Sequence, residues 1–284
     1  MDPINGAPIT LPSHISRPNH QLCGHIFGKG RTRFGLLKDN RTCELLKPIT
    51  DVRGKREYEF YQNIWNSKDD QLKSFIPKFY GLVHVDKIPF IKIEDATNGL
   101  ANPSNMDIKI GIITYDPEAN SQKIQDEMSK NPWQEINGFR ICGARIYDPM
   151  KDDNYTILDT KFTRQLKPED IPNLLDLFLG SQLNPVTMRV NLCETYLSKL
   201  QLILNWFNTI NINHLKFISS SLLFIHSSDS NQIILKMIDF AHVFPNTPNT
   251  SGESQCKDDN YIFGLSKLIN YFESLLSKLK EQQN

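Results

Sequence analysis

The sequence predicts an α+β fold in two unequal lobes, and three features of its 284 residues carry that prediction. Short strand-like runs punctuated by glycine dominate the first third, with one helix among them. A stretch without periodicity, residues 95–102, then interrupts the chain. Beyond it, strands alternate with clean helical stripes of leucine, isoleucine and phenylalanine.

The elements follow in order. Residues 1–20 carry Pro3, Pro8, Pro12 and Pro18 among scattered apolar residues, which reads as a flexible arm lacking the apolar run of a signal peptide. Gly24, Gly28, Gly30 and Gly35 punctuate strand-like residues 22–47, and Lys38-Asp39-Asn40-Arg41 forms a hairpin turn into a strand at 43–47. Tyr58, Tyr61 and Trp65 recur at helical spacing and place a helix over 54–66. Two more strands, 79–85 and 89–94, complete a small lobe spanning 21–95. Turn formers in Asp-Ala-Thr-Asn-Gly-Leu-Ala-Asn make 95–102 the hinge.

The larger lobe runs from 96 to 284. Residues 106–113 alternate as a strand, 119–131 read as a helix, and 138–147 and 154–158 as strands. Ile171, Leu174, Leu175, Phe178 and Leu179 form one helical stripe, and Leu197, Leu200, Leu204 and Phe207 a second. Strands at 221–226 and 232–240 precede a loop at 245–256. Leu265, Leu268, Ile269, Phe272, Leu276 and Leu279 mark the last helix. Two lobes about a hinge imply a ligand cleft.

Lys and Arg number 32 and so do Asp and Glu, so the formal net charge is zero. That excludes a surface that coats nucleic acid or anionic membrane by bulk charge, though a local basic pocket remains open. No run approaches the roughly 18 to 20 apolar residues of a membrane helix. The five cysteines never form C-x-x-C, which fits reduced thiols in the cytoplasm or nucleus and no zinc site.

Several groups could carry chemistry. Gly24-His25-Ile26-Phe27-Gly28-Lys29-Gly30 has three residues between its outer glycines where a Walker loop needs four, so it is a glycine-rich hairpin that could still cover a nucleotide. Lys47 at a strand end, with Glu57 ten residues on in a helix, matches the ion pair that aims a lysine at ATP phosphates; two unrelated surface charges fit equally. On a strand over 106–111, Asp107, Lys109 and Gly111 share one face while Met106, Ile108 and Ile110 share the other, as in any half-buried strand. Lys123, Glu127 and Lys130 line one side of a helix, as a solvated face or as a grip for anions. Asp239 ends an apolar strand, a natural Mg²⁺ ligand beside phosphates. Asp239-Phe240-Ala241 approaches the protein-kinase D-F-G, but no H-R-D catalytic loop accompanies it.

Together these residues resemble the inositol polyphosphate kinase family. Pro103, Asp107, Lys109 and Gly111 match its P-x-x-x-D-x-K-x-G signature, Ser220-Ser221-Leu222-Leu223 its S-S-L-L segment, and Ile238-Asp239-Phe240 its I-D-F segment. Leu46-Lys47, Arg56-Glu57 with Phe60-Tyr61, Glu94-Asp95-Ala96-Thr97, and Asp259-Asn260-Tyr261-Ile262-Phe263-Gly264-Leu265 extend the likeness across about 21–275. It implies a protein-kinase-like fold with an ATP-grasp-like cleft and an added inositol-binding helical segment near 116–165. It also implies an ATP- and Mg²⁺-dependent kinase for soluble inositol polyphosphates, acting as a monomer. By position, Lys47 would contact ATP phosphates with Glu57 as partner, and Glu94 and Ala96 the adenine. Asp107 would bind ribose, or alternatively act as general base, and Lys109 would bridge γ-phosphate and acceptor. Asp239 would hold the metal near Ser221, and Arg53, Lys123, Lys130 and Lys161 would grip substrate phosphates. Tris- and tetrakisphosphates are possible acceptors, as is the hexakisphosphate, toward which the expectation leans. The alternative is a non-catalytic inositol-phosphate-binding scaffold.

Overall fold

The computed structural model describes residues 11–18, 34–115, 120–129, 131–209, 215–229, 232–245 and 257–283. Its first sheet is built from β1 (Ile15–Ser16), β2 (Leu37–Asp39), β3 (Glu44–Pro48), β4 (Phe79–Val85) and β5 (Ile88–Ile93), in the order β1-β2-β3-β5-β4. Between β3 and β4 come α1 (Val52–Asn66) and α2 (Asp70–Phe75). Asp51 caps α1 by accepting the Gly54 amide, one of the donors a helix start leaves open. The stripe that α1 buries is Glu57, Phe60, Tyr61 and Ile64, offset from the Tyr58/Trp65 side that spacing suggested.

The flexible arm needs correction over residues 11–18. Ile15 pairs with Asp39 and Ser16 with Lys38, which adds an edge strand to the first sheet. Buried Ile15 joins Phe34, Leu37, Leu46, Val85 and Phe90 in a small outer core, with Leu11 packed against it. Pro12 misleads because its carbonyl closes a turn onto the Ile15 amide just before the strand begins. Residues 1–10, and the glycine-rich 24–30, lie outside the described residues.

The second sheet contains β6 (Ser104–Ile110), β7 (Phe139–Tyr147), β8 (Tyr155–Leu158), β10 (Ser221–His226) and β11 (Ile233–Ile238), in the order β11-β10-β6-β7-β8. Helices α3 (Ser121–Met128) and α4 (Gln134–Asn137) lie between β6 and β7, and α5 (Thr160–Thr163) follows β8. Then come α6 (Ile171–Phe178), α7 (Val186–Thr209), the short ladder of β9 (Leu215–Phe217) with β12 (Val243–Pro245), and α8 (Asp259–Glu281). No helix among the described residues is long and apolar enough to cross a membrane.

One main core joins the two sheets. Phe60 of α1 stacks on Phe240 at 4.3 Å between ring centroids, and Tyr61 meets the same ring edge-on. Both belong to the core that holds Met106, Ile108, Ile110, Trp206, Phe217 and Phe272. Strand β6 is central in its sheet, so its alternation divides sharply: Met106, Ile108 and Ile110 are fully buried in that core, while Asn105, Asp107 and Lys109 take the opposite face. The expected strand to residue 113 stops at Ile110, because Gly111 turns to φ +98°. A side chain there would collide with Asn260, whose Oδ1 accepts the Ile112 and Ile113 amides, both at 2.8 Å.

Candidate active site

Three carboxylates and two lysines meet where the sheets face each other. Lys47 leaves β3 and donates to Glu57 Oε1 and Asp239 Oδ1, each at 2.7 Å. Glu57 comes from α1, is buried, and also accepts the Phe240 amide at 3.1 Å. The sequence pairing of Lys47 with Glu57 is therefore a real contact, and Asp239 is its third member. Burial works against the Lys47 charge, but Asp239 and Glu57 outweigh it and raise its pKa. Burial would also raise Asp239, yet Lys47 and Lys109 hold it below the ordinary carboxylate range. Glu57 is pushed up, first by burial, against the pull of Lys47. Asp239 sits deep between the sheets but keeps 45% of its side chain exposed, so solvent and solutes reach it.

Asp239, just after β11, has φ +65°, and Ser219, just before β10, has φ +60°. Both are left-handed conformations that cost a non-glycine residue about 1–3 kcal/mol. Ser220 Oγ donates to the Asp239 carbonyl at 3.0 Å and steadies that turn. Lys109 donates to the Ser219 carbonyl and hydroxyl, both at 2.7 Å. Ser221 stands opposite Lys109 in the ladder.

Asp107 is buried, and among the described residues its Oδ1 has no hydrogen-bond partner; the same holds for Ser221 Oγ and Asn105 Oδ1. Burial, then the charge of Asp239, push the Asp107 pKa up to about 6 against the charges of Lys109 and Arg140. Orphaned buried acceptors are costly, and at a site they mark where a ligand or ion completes the set. The half-exposed Asp239 carboxylate and the Ser221 hydroxyl fit a hard divalent cation that keeps phosphate and water oxygens for its remaining positions.

The other expected residues are placed as follows. Glu94 accepts the Lys78 amide on its side chain at 3.0 Å and donates its own amide to the Lys78 carbonyl at 2.9 Å. Ala96 is buried beside Asp95, which accepts Lys38 Nζ and the Thr97 amide. Arg53 is on the exposed first turn of α1 and pairs with Asp51. Three residues later Arg56, passed over in favour of Arg53, donates to the Ala241 carbonyl at 2.9 Å and stacks on Phe244. Helical phase was the available signal, since Arg56 adjoins the Glu57 stripe. Lys161 is exposed on α5, whose Thr160 and Thr163 hydroxyls donate to the Cys142 carbonyl. Gly143, next in line, lies opposite Asp107. Lys123 belongs to α3, its side chain outside the described atoms, and Lys130 is outside the described residues. Arg140, directly opposite Lys109, was not singled out by sequence reasoning.

The family model for inositol polyphosphate kinase matches residues 90–273, from the end of the first sheet into α8. The chain belongs to the inositol polyphosphate kinase family. A human inositol polyphosphate multikinase is 33% identical over 229 residues, covering 78% of this chain and 53% of the relative. A mouse inositol polyphosphate multikinase is 30% identical over 288 residues, covering 93% of this chain and 71% of its own length. The chain thus spans about half the length of the human relative. In fold it resembles the crystal structure of the inositol phosphate multikinase Ipk2 from S. cerevisiae in complex with ADP and Mn²⁺. That match has a TM-score of 0.67 at 24% identity and covers 82% of this chain and 99% of that one. The kinase-like architecture implied by the motifs is therefore the architecture observed.

Proposed function

We propose that this chain transfers the γ-phosphoryl group of ATP to a hydroxyl of a soluble inositol polyphosphate, with tris- and tetrakisphosphates as main acceptors. The observation that carries the reading is Lys47 held at 2.7 Å from both Glu57 and Asp239, across the two sheets and beside Lys109. An ammonium fixed in this way is an electrostatic seat for nucleotide phosphates. Residues 21–95 act as the nucleotide lobe and 96–284 as the acceptor lobe, with the backbone of Glu94 and Ala96 meeting adenine at the hinge. Asp107 takes ribose hydroxyls on its unpartnered Oδ1. Asp239, with Ser221, would hold Mg²⁺, which when bound offsets the charge of the phosphates.

In the transfer, the acceptor hydroxyl oxygen bonds to the γ-phosphorus while the bond to the β–γ bridging oxygen breaks, and ADP departs. The hydroxyl proton leaves to solvent; a general-base role for Asp107 is the alternative to its ribose contact. Lys109 turns from Ser219 to the transferring phosphoryl oxygens, where positive charge lowers the barrier. Lys123, Lys130 and Lys161 grip acceptor phosphates. Arg56, supported by its contact with Ala241, joins them in preference to Arg53. The two relatives reported above are both multikinases, which favours hydroxyl phosphorylation over pyrophosphate formation on the hexakisphosphate. A non-catalytic scaffold is disfavoured because Lys47, Asp107, Lys109 and Asp239 are all present and mutually arranged. The test is incubation with ATP, Mg²⁺ and a panel from tris- to hexakisphosphate, with products separated by charge. Conversion of the tris- and tetrakisphosphates is expected; no conversion of any acceptor overturns the enzyme reading.

A further inference from the structure

A cation outside the sets above stands in the reacting row. Arg140 is directly across from Lys109 in the β6–β7 ladder, and residues opposite one another project to the same face, with Cβ atoms about 4.5–5.5 Å apart. That is the face of Asp107, the one turned away from the Met106–Ile108–Ile110 core. Arg140 is also the second residue of β7, where the chain returns from the segment that carries α3 and α4. Its guanidinium reaches toward that segment, at 3.5 Å from Gln134 Oε1. Gln134 itself donates to the Gly111 carbonyl at 2.8 Å, which ties the start of α4 to the end of β6. The arginine thus sits between the lysine that meets the transferring phosphoryl and the segment that receives the acceptor. Asp107 feels its charge as well.

We propose that Arg140 is a further substrate-binding residue that grips the acceptor phosphate neighbouring the accepting hydroxyl on the inositol ring. This rests on the kinase reading above and adds to it a positional preference. A guanidinium offers paired donors that match two oxygens of one phosphate, whereas a lysine offers only a point charge. An acceptor with a phosphate beside the accepting hydroxyl gains that paired contact next to Lys109. An acceptor without one presents only a hydroxyl to the arginine and loses it.

The experiment compares wild type, Arg140→Ala and Arg140→Lys. Titration calorimetry with inositol tetrakisphosphate in the absence of nucleotide reads binding, and steady-state kinetics with ATP read turnover over tris- and tetrakisphosphate isomers. Arg140→Ala is expected to weaken tetrakisphosphate binding and raise its KM about ten- to hundredfold, the size expected for losing a charge-assisted contact, with the KM for ATP unchanged. Arg140→Lys should recover only part of the loss. The defect should vanish for a trisphosphate whose accepting hydroxyl lies between the two other hydroxyls, a pattern that a merely structural role would not produce. Unchanged binding in Arg140→Ala, or a defect equal for every isomer and for ATP, overturns the inference while wild-type turnover leaves the kinase reading standing. Wild type that binds the tetrakisphosphate without turning over any acceptor overturns the kinase reading, and the calorimetry still decides Arg140.

Discussion

Lys47 answers two carboxylates at once, and what happens when it is removed depends on how each is buried. Glu57 is almost sealed, with 3% of its side chain exposed, whereas Asp239 is open to solvent. Lys47→Met would leave Glu57 charged without its partner, so it would take up a proton or destabilise the packing around Phe240. A stability loss of about 2–3 kcal/mol is expected from denaturant unfolding, below the full cost of breaking a fully buried pair. Phosphoryl transfer should be lost with it. Asp107 predicts the opposite balance. Its pKa stands at about 6 in the fold against 3.8 for the free side chain, so between those values the folded chain holds a proton that the unfolded chain has released. Stability from this residue is therefore fully present below about pH 4 and falls as pH rises toward 6. Asp107→Asn removes the buried charge and should stabilise the protein at pH 7.5 by about 1–3 kcal/mol while abolishing turnover. Unfolding curves at pH 5 and 7.5 check it: the gain should shrink at the lower pH, and an equal gain at both would rule out the buried charge as its cause.

Among the elements, β6 and α8 explain why two distant motifs recur in one chain. Gly264 on α8 faces Gly138 and Gly111, and a Cβ there would lie within contact distance of the Gly138 carbonyl and 2.7 Å from the Gly111 amide. Gly264→Ala must push α8 from the sheet, an overpacking cost of about 2–3 kcal/mol that thermal unfolding would register. Asn260 has a gentler role, holding the Ile112 and Ile113 amides and the Ile113 carbonyl. Asn260→Ala should cost about 1–2 kcal/mol and free the loop that leads to α3. Acceptor KM should therefore rise while ATP KM stays put; parallel changes in both would show that the loop does not serve the acceptor alone. Gly111 looks like a site residue in sequence because it adjoins Asp107 and Lys109, and Asn260 and Gly264 because they belong to a segment that carries the family likeness. In the fold they are the joint that keeps the site's strand in place. Strand β6 was legible because its alternation is complete within seven residues. Strand β1 was not, since two residues carry no period and its partner β2 lies beyond 19–33 in sequence.

Across the whole molecule, the two sheets were legible as two lobes, but the continuity of their core was not. Sequence periodicity shows which face of an element is apolar and leaves unstated what covers it. Here Phe60 and Tyr61 of α1 pack against Phe240, while Trp206 of α7 stands edge-on to Phe217 and donates to Asp69 at 3.1 Å, just ahead of α2. Arg140 escaped notice, and Arg56 was named without a role, for a related reason: each is made relevant by a neighbour distant in sequence, Ala241 for Arg56 and Lys109 for Arg140. The core's continuity makes a prediction that a reading of two lobes about a loose hinge does not. If the sheets shared only a hinge, each would unfold by itself; with α1 and α2 seated in the larger core, removing the first sheet exposes Phe217 and Phe240. Denaturant unfolding should therefore be one cooperative transition, with tryptophan fluorescence and far-ultraviolet circular dichroism tracing the same curve. Phe60→Ala should test the coupling, costing about 3–5 kcal/mol as a buried aromatic truncation and shifting both probes together. Separation of the two curves in wild type would show that the sheets unfold independently, and the Lys47–Asp239 bridge would then be the contact that holds the site together.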